Sequence, residues 1–364
     1  MDLRNAALLR LIDRVVAARS RKTALDIRGG HTKAFYGGTA QGMALDVGEL
    51  AGVTAYEPTE LVVTALAGTP LSELEALLAT RGQCLPFEPP RFGAAGTVGG
   101  MVASGLAGPA RASVGALRDY VLGVSVLNGA GETLTFGGQV MKNVAGYDVS
   151  RLFCGSMGIL GVICEVSLKV MPVPPACATL SLEVDEAAAL LRLNRWAALP
   201  IPLSASAWHR GRLLVRLAGA AAAVDSVRQS LGGTEVDPQI AREWWRGVRD
   251  HRHAFFCLTS ADLQRGECLW RLSMPDTVRP LSLPGEQFIE WGGAQRWLRT
   301  TAAASQIRTA AVERGGHATL VRAVDKSAGV FTALAQPLMS IHQRLKQAFD
   351  PAGIFNPGRL YAGL

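Results

Sequence analysis

Alternating hydrophobic and polar positions predict that short strands and amphipathic helices follow one another along this chain. The N-terminal stretch is apolar but interrupted by Arg10, Asp13 and Arg14, which predicts an amphipathic surface helix rather than a signal peptide. Short β-type runs then end at glycines or turn formers. They are predicted at 25–28, 43–47, 61–65, 120–127, 132–136 and 159–170. This irregular order predicts an α+β fold rather than a regular βαβ alternation.

Several local signals sharpen this prediction. Leucines at helical spacing after Thr69-Pro70 predict a helix, and Asn128-Gly129-Ala130-Gly131 between two strands predicts a hairpin. Beyond residue 175, strands at 179–184 and 213–217 alternate with helices, the first of them capped by Asp185. That succession predicts a small sheet covered by helices.

Glycine and tryptophan divide the chain into unlike halves. Residues 1–175 hold 25 of the 40 glycines, whereas all seven tryptophans lie later. The change falls at Met171-Pro172-Val173-Pro174-Pro175, which cannot continue a helix or a central strand. We therefore expect one domain over 1–175 and a second over 176–344. The turn-rich segment 345–364 is expected to be ordered only by docking on another part of the molecule.

Composition narrows the function classes. The 364 residues carry a net charge of +7 from scattered arginines. Nucleic-acid binding would require a clustered basic stripe with interleaved aromatics, so a solvated surface or a basic cleft for a phosphate-bearing cofactor or small carboxylate fits better. No apolar run approaches the roughly 18 residues of a membrane span, and a cytoplasmic location is expected. The six cysteines form no C-x-x-C pair, so we predict reduced thiols and no metal centre.

Glycine-rich segments are the strongest chemical signal. They lie at 28–33, 91–115, 142–148 and 155–163. Paired glycines let backbone amides crowd together and point at an anion, and a run of small residues lets the backbone lie against an extended ligand such as a pyrophosphate. A plain turn or tight helix packing explains each segment alone. Together they favour a large ligand that touches many backbone amides.

The common nucleotide and hydrolase motifs are absent. No lysine follows a glycine, which excludes the P-loop, and neither G-x-G-x-x-G nor H-E-x-x-H occurs. Ser156 lacks the glycine two positions earlier that a nucleophile elbow needs. Kinase, protease and hydrolase interpretations therefore lose their support.

In combination, these segments resemble the FAD-binding domain shared by vanillyl-alcohol oxidase and p-cresol methylhydroxylase. The motifs that carry the resemblance are RGGHTK at 28–33, GTVGGMVA at 96–103, RDYVLG at 118–123, KNVAGYD at 142–148 and GSMGILGVI at 155–163. The closing FDPAGIFNPGR at 349–359 is similar to the C-terminal signature of the glycolate/D-lactate oxidase branch. Within that branch, WWRGVRDHRHAFF at 244–256 looks most like the flavin subunits of bacterial glycolate oxidase.

The resemblance implies a two-lobed α+β domain around FAD, with an α+β cap domain over the flavin. Carried over by matching motifs, it implies cofactor-binding roles for a set of small or polar positions. They are Arg28, Gly29, Gly30, His31, Thr32, Gly96, Thr97, Gly99, Gly100, Ser104, Arg118, Asp119, Asn143, Gly146, Tyr147, Asp148, Gly158, Gly161, Val162, Ile163 and Asn356.

Two departures from the family pattern concern histidines. His31 stands one residue closer to the arginine than the histidine that holds FAD covalently in some branches, so we expect non-covalent FAD. Relatives carry a catalytic Gly-Glu-His-Gly segment. The sequence around His317 resembles this segment only in part and lacks its acidic residue. His317, His251 and His253 are therefore weak candidates for a proton acceptor, and a structural role is the simpler interpretation of each.

The resemblance implies an FAD-binding subunit of a glycolate (2-hydroxy acid) oxidase complex. Hydride would pass from substrate to flavin, and electrons would pass on to an iron–sulfur partner subunit, beside a sister flavin subunit. Two alternatives stay open: a self-sufficient D-lactate or 2-hydroxy acid dehydrogenase, and a non-catalytic scaffold that holds flavin. The complex would place the chain in the cytoplasm, with peripheral attachment at the inner face of the membrane as a further expectation.

Overall fold

A computed structural model describes residues 3–138 and 147–364 of the chain. Up to residue 172, short strands and helices alternate without a fixed order, as the sequence predicts. The elements are α1 (Leu3–Arg21), β1 (Leu25–Arg28), β2 (Met43–Asp46), β3 (Val53–Glu57), β4 (Val62–Leu66), α2 (Leu71–Ala79), β5 (Gln83–Cys84), α3 (Val98–Ser104), α4 (Arg111–Val114), β6 (Val121–Leu127), β7 (Thr133–Gly137), β8 (Val162–Lys169) and β9 (Met171–Pro172).

Two sheets organise this part of the chain. β1 and β2 form a parallel pair, while β3, β4, β8, β6 and β7 form, in that order, an antiparallel sheet. The predicted hairpin is confirmed, because the Asn128 side chain accepts hydrogen bonds from the amides of Ala130 and Glu132 and closes the turn between β6 and β7. The apolar side of α1 packs on β1 and β2, with Val15 and Leu11 buried, as expected for an amphipathic surface helix.

From residue 176 onward the strands join one larger sheet. The elements are β10 (Ala176–Glu183), α5 (Glu186–Ala197), β11 (Leu203–His209), β12 (Arg212–Gly219), α6 (Ala221–Leu231), β13 (Thr234–Glu235), α7 (Pro238–Arg249), α8 (Ser260–Gln264), β14 (Cys268–Ser273), β15 (Glu286–Glu290), β16 (Gln295–Thr300), α9 (Ala304–Val312), β17 (His317–Arg322) and α10 (Gln336–Phe349).

The prediction of a small sheet in this part is wrong in its size. Eight strands pair antiparallel in the order β13-β10-β12-β11-β15-β16-β14-β17. Strands β14 to β17 were missed although β15 and β16 form a hairpin across residues 291–294; β14 pairs with the non-consecutive strands β16 and β17, which its local sequence does not indicate. The local prediction at Asp185 is confirmed, since its carboxylate accepts from the Ala188 amide at 2.8 Å and begins α5.

The closing segment docks on the first strand, as its turn-forming composition predicts. The Leu25 amide donates to the Ile354 carbonyl at 2.7 Å, and the Asn356 amide donates to the Leu25 carbonyl at 2.9 Å. Lys346 lies buried behind this contact and donates to the Ile159 and Phe355 carbonyls and to Asp350. The tail therefore extends the β1–β2 pair by one further extended segment.

Candidate functional site

The largest concentration of predicted site residues lines a cleft beside β1, the tail and α3, which we call the glycine cleft. Its walls are the loop after β1, the start of α3, the Met157–Gly158 turn and Asn356. The cleft is partly open to solvent and holds a cavity of about 120 Å³.

Backbone amides at the end of β1 are available to a ligand. The amide N–H groups of residues 29–33 have no hydrogen-bond acceptor anywhere in the described part of the chain. Unpaired amides in a wall of a cleft are costly unless water or a ligand accepts from them. Successive amides that converge on one region form an anion-binding nest. The loop 29–33 therefore suits the oxygens of a phosphate or pyrophosphate.

Glycine at two positions of this loop is required by close approach to the second glycine-rich segment. A Cβ atom on Gly30 would lie 1.4 Å from the carbonyl oxygen of Ala95, and one on Gly29 would lie 2.5 Å from Oγ1 of Thr97. Thr97 in turn caps α3, accepting from the Gly100 amide at 3.2 Å. The two predicted pyrophosphate loops are thus packed directly against each other and set one wall of the glycine cleft.

Asn356 joins the tail to the opposite wall. Its Oδ1 accepts from the Ile27 amide at 2.7 Å, and its Nδ2 donates to the Met157 carbonyl at 2.7 Å. Gly158, at φ +76°, leaves room for this amide, because a Cβ there would lie 2.5 Å from Nδ2. The side chain of Asn356 is therefore committed to holding β1 against the Met157–Gly158 turn.

Two cations hold the segment that follows the nest. Arg359 is buried and donates to the carbonyls of Tyr36 at 2.7 Å, Gly38 at 2.5 Å and Ala34 at 3.3 Å. Lys326, from the loop after β17, donates to the carbonyls of Phe35 at 2.6 Å and Gly37 at 2.9 Å. Five successive carbonyls are thereby fixed by side chains from the tail and from the second half of the chain.

The charge of the cleft is predominantly positive. Arg28 donates to the buried carboxylate of Asp26 at 2.5 Å. Lys33 lies over the ring of Phe92, and burial lowers the pKa of its ammonium group to about 8, against the smaller opposite effect of Asp250. A bound polyanion would relieve this desolvation, because a negative charge beside Lys33 favours its charged form.

Comparison with known proteins identifies what this cleft belongs to. Residues 9–137 match the family described as FAD binding domain. The chain is 47% identical over 354 residues to glycolate oxidase subunit GlcE of Escherichia coli (strain K12), and the match covers 97% of both chains. The chain belongs to the GlcE family of glycolate oxidase subunits. The resemblance drawn from the motifs, to the flavin subunits of bacterial glycolate oxidase and to FAD-dependent oxidoreductases, is confirmed.

More distant relatives match the GlcE-family chain over a shorter length. Glycolate oxidase subunit GlcD of Bacillus subtilis (strain 168) is 30% identical over 142 residues, which are 39% of this chain and 30% of that protein. D-lactate dehydrogenase of Anaerostipes hadrus is 32% identical over 139 residues, 38% of this chain and 29% of that one. A solved structure of alkyldihydroxyacetonephosphate synthase superposes with a TM-score of 0.65 at 15% identity, over 96% of this chain and 75% of that chain. The predicted α+β fold of the p-cresol methylhydroxylase type is confirmed.

Most of the predicted cofactor residues of this GlcE-family chain come together in the glycine cleft. Those that line it are Arg28, Gly29, Gly30, His31, Thr32, Thr97, Gly99, Gly100, Ser104, Gly158, Gly161, Ile163 and Asn356. Gly96 and Val162 lie directly beside lining residues but not in the wall. The Gly96 carbonyl accepts from the Leu71 amide, and Val162 is buried in the core beneath β1.

Four other predicted residues lie away from the cleft walls. Asp119 accepts from the Ala116 amide, and with Arg118 it forms an exposed turn. Tyr147 is 97% exposed, and Asp148 pairs with Arg151 at 2.7 Å. Asn143 and Gly146 lie outside the described residues. The structure thus brings the first two phosphate-loop motifs together and leaves these six residues apart from them, and the cofactor roles of all the predicted residues stay predictions.

The candidate histidines occupy three separate places. His317 begins β17 at the exposed edge of the large sheet. His253 packs against His209 and Trp244 beneath a shallow surface depression. His251 lines a second cavity further inside the molecule, and burial lowers the pKa of its imidazole to about 3. Within the described residues, His31 is the one histidine in the wall of the glycine cleft.

Some cleft residues were missed by sequence reasoning. Asp26, Met157 and Arg359 line the glycine cleft but were not predicted as cofactor residues. Arg359 ends the FDPAGIFNPGR motif, so its position in a motif was a usable signal. Nothing in the local sequence shows that its guanidinium folds back on carbonyls more than 300 residues earlier.

Proposed function

We propose that this chain is the FAD-binding subunit of a glycolate oxidase complex that oxidises glycolate, or a similar small 2-hydroxy acid, to the corresponding 2-oxo acid. The single observation that carries the proposal is the row of unpaired amides at 29–33, in residues that line the glycine cleft. The identity to the Escherichia coli subunit over nearly the whole chain supplies the reaction.

The chain's own residues would hold the cofactor chiefly through the backbone. The amides of Gly29 to Lys33 would donate to its pyrophosphate, and Lys33 and Arg28 would balance the charge. Thr97, Gly99 and Gly100 would keep the second loop close to it without side-chain bulk. FAD bound there would supply the acceptor for the electron pair released when the hydroxy acid is oxidised.

Attachment of FAD is proposed to be non-covalent. The loop keeps His31 at φ +55° and solvent-exposed at the rim of the nest. The exposed position of His31 gives no support to a covalent bond between its ring and the flavin. Acid precipitation should therefore release all flavin into the supernatant, whereas flavin that stays with the precipitated chain would contradict this part of the proposal.

The remaining proposals concern the assembly. We propose domain boundaries near residue 175, just after β9, and near residue 344, within α10, the helix that leads into the tail. Electrons would leave through an iron–sulfur subunit beside a sister flavin subunit, since the described residues hold no cluster of three or more His, Cys, Asp or Glu side chains. No helix in residues 3–138 and 147–364 is long and apolar enough to cross a membrane. Membrane contact is accordingly proposed to come through the complex.

The decisive experiment is a visible spectrum of the purified chain before and after anaerobic glycolate. A flavin band that bleaches supports substrate oxidation by this chain, and turnover with an artificial acceptor would then show self-sufficiency. A band that stays oxidised supports a flavin subunit that needs its partners. Absence of flavin even after incubation with FAD would contradict the proposal in favour of a scaffold.

A variant ties the spectrum to the glycine cleft. Gly100 lines the glycine cleft, and within 4 Å a Cβ there would meet only Oγ1 of Thr97, at 3.2 Å. Gly100→Asp therefore adds negative charge to the wall beside the proposed pyrophosphate, and we expect the purified variant to carry no flavin while keeping its far-ultraviolet circular dichroism. Normal flavin content in Gly100→Asp would show that the cofactor lies elsewhere.

A further inference from the structure

A second cavity, which we call the inner cavity, lies between the first half of the chain and the large sheet. Phe35, Tyr36 and Phe92 line it on one side, and Arg271, Glu290 and Trp297 line it on the other. Lys33 and Ala34 line the glycine cleft, whereas Phe35 and Tyr36, the next two residues, line the inner cavity. A single short segment therefore separates the proposed cofactor site from this second space.

Arg271 brings an uncompensated positive charge to the inner cavity. Its Nη2 donates to the hydroxyl of Tyr36 at 3.0 Å. Its Nε is buried and has no acceptor in the described residues, and no carboxylate there forms an ion pair with Arg271. A cation removed from water is costly unless an anion or several acceptors meet it. The arrangement therefore favours an anionic occupant.

The neighbouring Arg249, which lines the same cavity, is an arginine whose charge is paired with carboxylates. Arg249 pairs with Asp250 at 2.8 Å and with Glu75 at 3.7 Å. Arg271 has the same charge, faces the same cavity and lacks both kinds of partner. The difference between the two indicates that Arg271 is kept available rather than used to hold the fold together.

The acidic residue of the cavity does not neutralise Arg271. Oε2 of Glu290 accepts from Trp297 Nε1 at 2.7 Å and from Gln295 Nε2 at 3.1 Å. Burial raises the pKa of this carboxyl to about 7, so much of it is protonated near neutrality. Arg322 adds further positive charge, because its guanidinium lies 3.8 Å from the Phe35 ring and its Nε also lacks an acceptor among the described residues.

His251 supplies a second open polar atom. Its ring stacks on Phe256 with centroids 4.3 Å apart and meets the rings of Trp297 at 4.7 Å and Phe92 at 5.0 Å edge to face. Nδ1 is buried and unpartnered as far as the chain is described. Three aromatic neighbours fix the orientation of the imidazole, so this nitrogen is held in place for a ligand rather than turned toward water.

We propose that the inner cavity is the substrate site, where the Arg271 guanidinium binds the carboxylate of a small 2-hydroxy acid and Nδ1 of His251 contacts its hydroxyl. The inference rests on the proposed function and adds the residues that recognise the substrate. A guanidinium matches a carboxylate through two parallel hydrogen bonds. The free space of about 20 Å³ is small, which favours the smallest 2-hydroxy acids.

Titration of the full-length, FAD-loaded chain tests the proposal, with tryptophan fluorescence and the flavin absorbance band as readouts. Glycolate is compared with acetate, which lacks the hydroxyl, and with ethylene glycol, which lacks the carboxylate. We expect glycolate and acetate to bind and ethylene glycol to fail. Arg271→Gln should weaken both acids roughly 10- to 100-fold, in line with lost hydrogen bonds to a charged group. Arg271→Lys should lie between Arg271→Gln and the unaltered chain.

His251→Phe preserves the ring contacts and removes the nitrogen. It should weaken glycolate by roughly 2- to 10-fold and leave acetate unchanged, a split that general unfolding of the cavity would not produce. Arg195→Gln, an exposed arginine on α5 with no ion pair in the described structure, is the matched control and should behave as the unaltered chain does.

Equal glycolate affinity in Arg271→Gln and the unaltered chain would overturn the inference, and so would a flavin-loaded chain that does not bind glycolate. Both results leave the proposed cofactor site intact. Failure of that site is seen separately, as absence of the flavin band. If Arg271→Gln is shown by circular dichroism to be misfolded, the Arg271→Lys and His251→Phe titrations decide the matter.

Discussion

The glycine cleft and the inner cavity lie on either side of one short segment, yet they are built by opposite means. The cleft offers main-chain amides, and its wall depends on Gly29 and Gly30, which have no side chains to hold the two loops apart. The inner cavity offers side-chain atoms of Arg271 and His251, held in place by aromatic rings. The first site is therefore damaged by adding atoms and the second by removing them.

The two sites also select their ligands in different ways, the glycine cleft by shape and the inner cavity by charge. Unpaired amides in a narrow cleft can bind any group with suitably placed oxygens, so close packing of the backbone determines what fits. A guanidinium and an imidazole in a small cavity select by charge and by hydrogen-bond position. A protein that binds a large cofactor and a small substrate side by side gains from having both kinds of wall.

The largest expected effect comes from adding one methyl group to the cleft. Gly30→Ala places a carbon 1.4 Å from the Ala95 carbonyl oxygen, which the two loops cannot accommodate without moving apart. With an overpacking cost near ~3 kcal/mol, we expect the affinity for FAD to fall by roughly 100-fold. Flavin content after gel filtration and an FAD titration measure this. Gly247→Ala, on α7 with its nearest atom at 3.7 Å, should bind FAD normally, and equal loss in both variants would contradict the comparison.

The next effect concerns pH and the side-chain site. Burial lowers the pKa of His251 from 6.5 to about 3 and raises that of Glu290 from 4.5 to about 7. His251 makes the free energy of unfolding rise with pH between 3 and 6.5, because the unfolded chain binds the extra proton. Glu290 makes it fall between 4.5 and 7, because the folded chain binds it. The two contributions oppose each other between pH 4.5 and 6.5.

Removing either titrating group should reveal how the other makes the free energy of unfolding depend on pH. We expect the stability of His251→Phe, relative to the unaltered chain, to fall by up to about 1.4 kcal/mol per pH unit as the pH rises from 4.5 to 6.5. The relative stability of Glu290→Gln, which keeps an acceptor for Trp297 and Gln295, should rise by a similar amount. Urea unfolding at pH 4.5, 5.5 and 6.5 measures both slopes. Slopes of the same sign in the two variants would refute this account of the cavity.

The smallest effect tests the segment between the two sites. Arg359→Lys keeps the charge but loses the fork that reaches the carbonyls of Ala34, Tyr36 and Gly38. We expect roughly 10-fold weaker FAD binding, the size of one lost charge-assisted hydrogen bond. Arg344→Lys, an exposed position on α10, serves as the control. Unchanged FAD affinity in Arg359→Lys would show that the nest holds its shape without this clamp.

The same contrast explains how far sequence reasoning reached. The amide nest and the start of α3 are continuous stretches, and glycine at 29, 30, 99 and 100 reports directly that backbones approach closely there. The irregular order of the strands predicted the α+β fold class, and the turn-rich motif at 349–359 predicted a docked tail. These features are local, so they can be predicted from neighbouring residues.

No continuous stretch of the sequence indicates the inner cavity in this way. Tyr36, Phe92, His251, Arg271, Glu290 and Trp297 come from distant parts of the chain and meet only because β14, β15 and β16 are adjacent in the large sheet. Those strands were not recognised, so their inward-facing residues could not be either. His251 was proposed as a weak candidate on chemistry alone, while its partner Arg271 was one scattered arginine among many.

The docking of Arg359 on the carbonyl of Ala34 spans 325 residues. Ribosomes add roughly 5–20 residues per second, so Arg359 is synthesised about 16 to 65 s after Ala34. Throughout that interval the nascent chain carries β1 without the strand-like tail that completes its edge and without the clamp on the loop. The β1–β2 edge and the loop beside the glycine cleft are consequently completed only late in biosynthesis, and until then this edge is open to pairing with other strands.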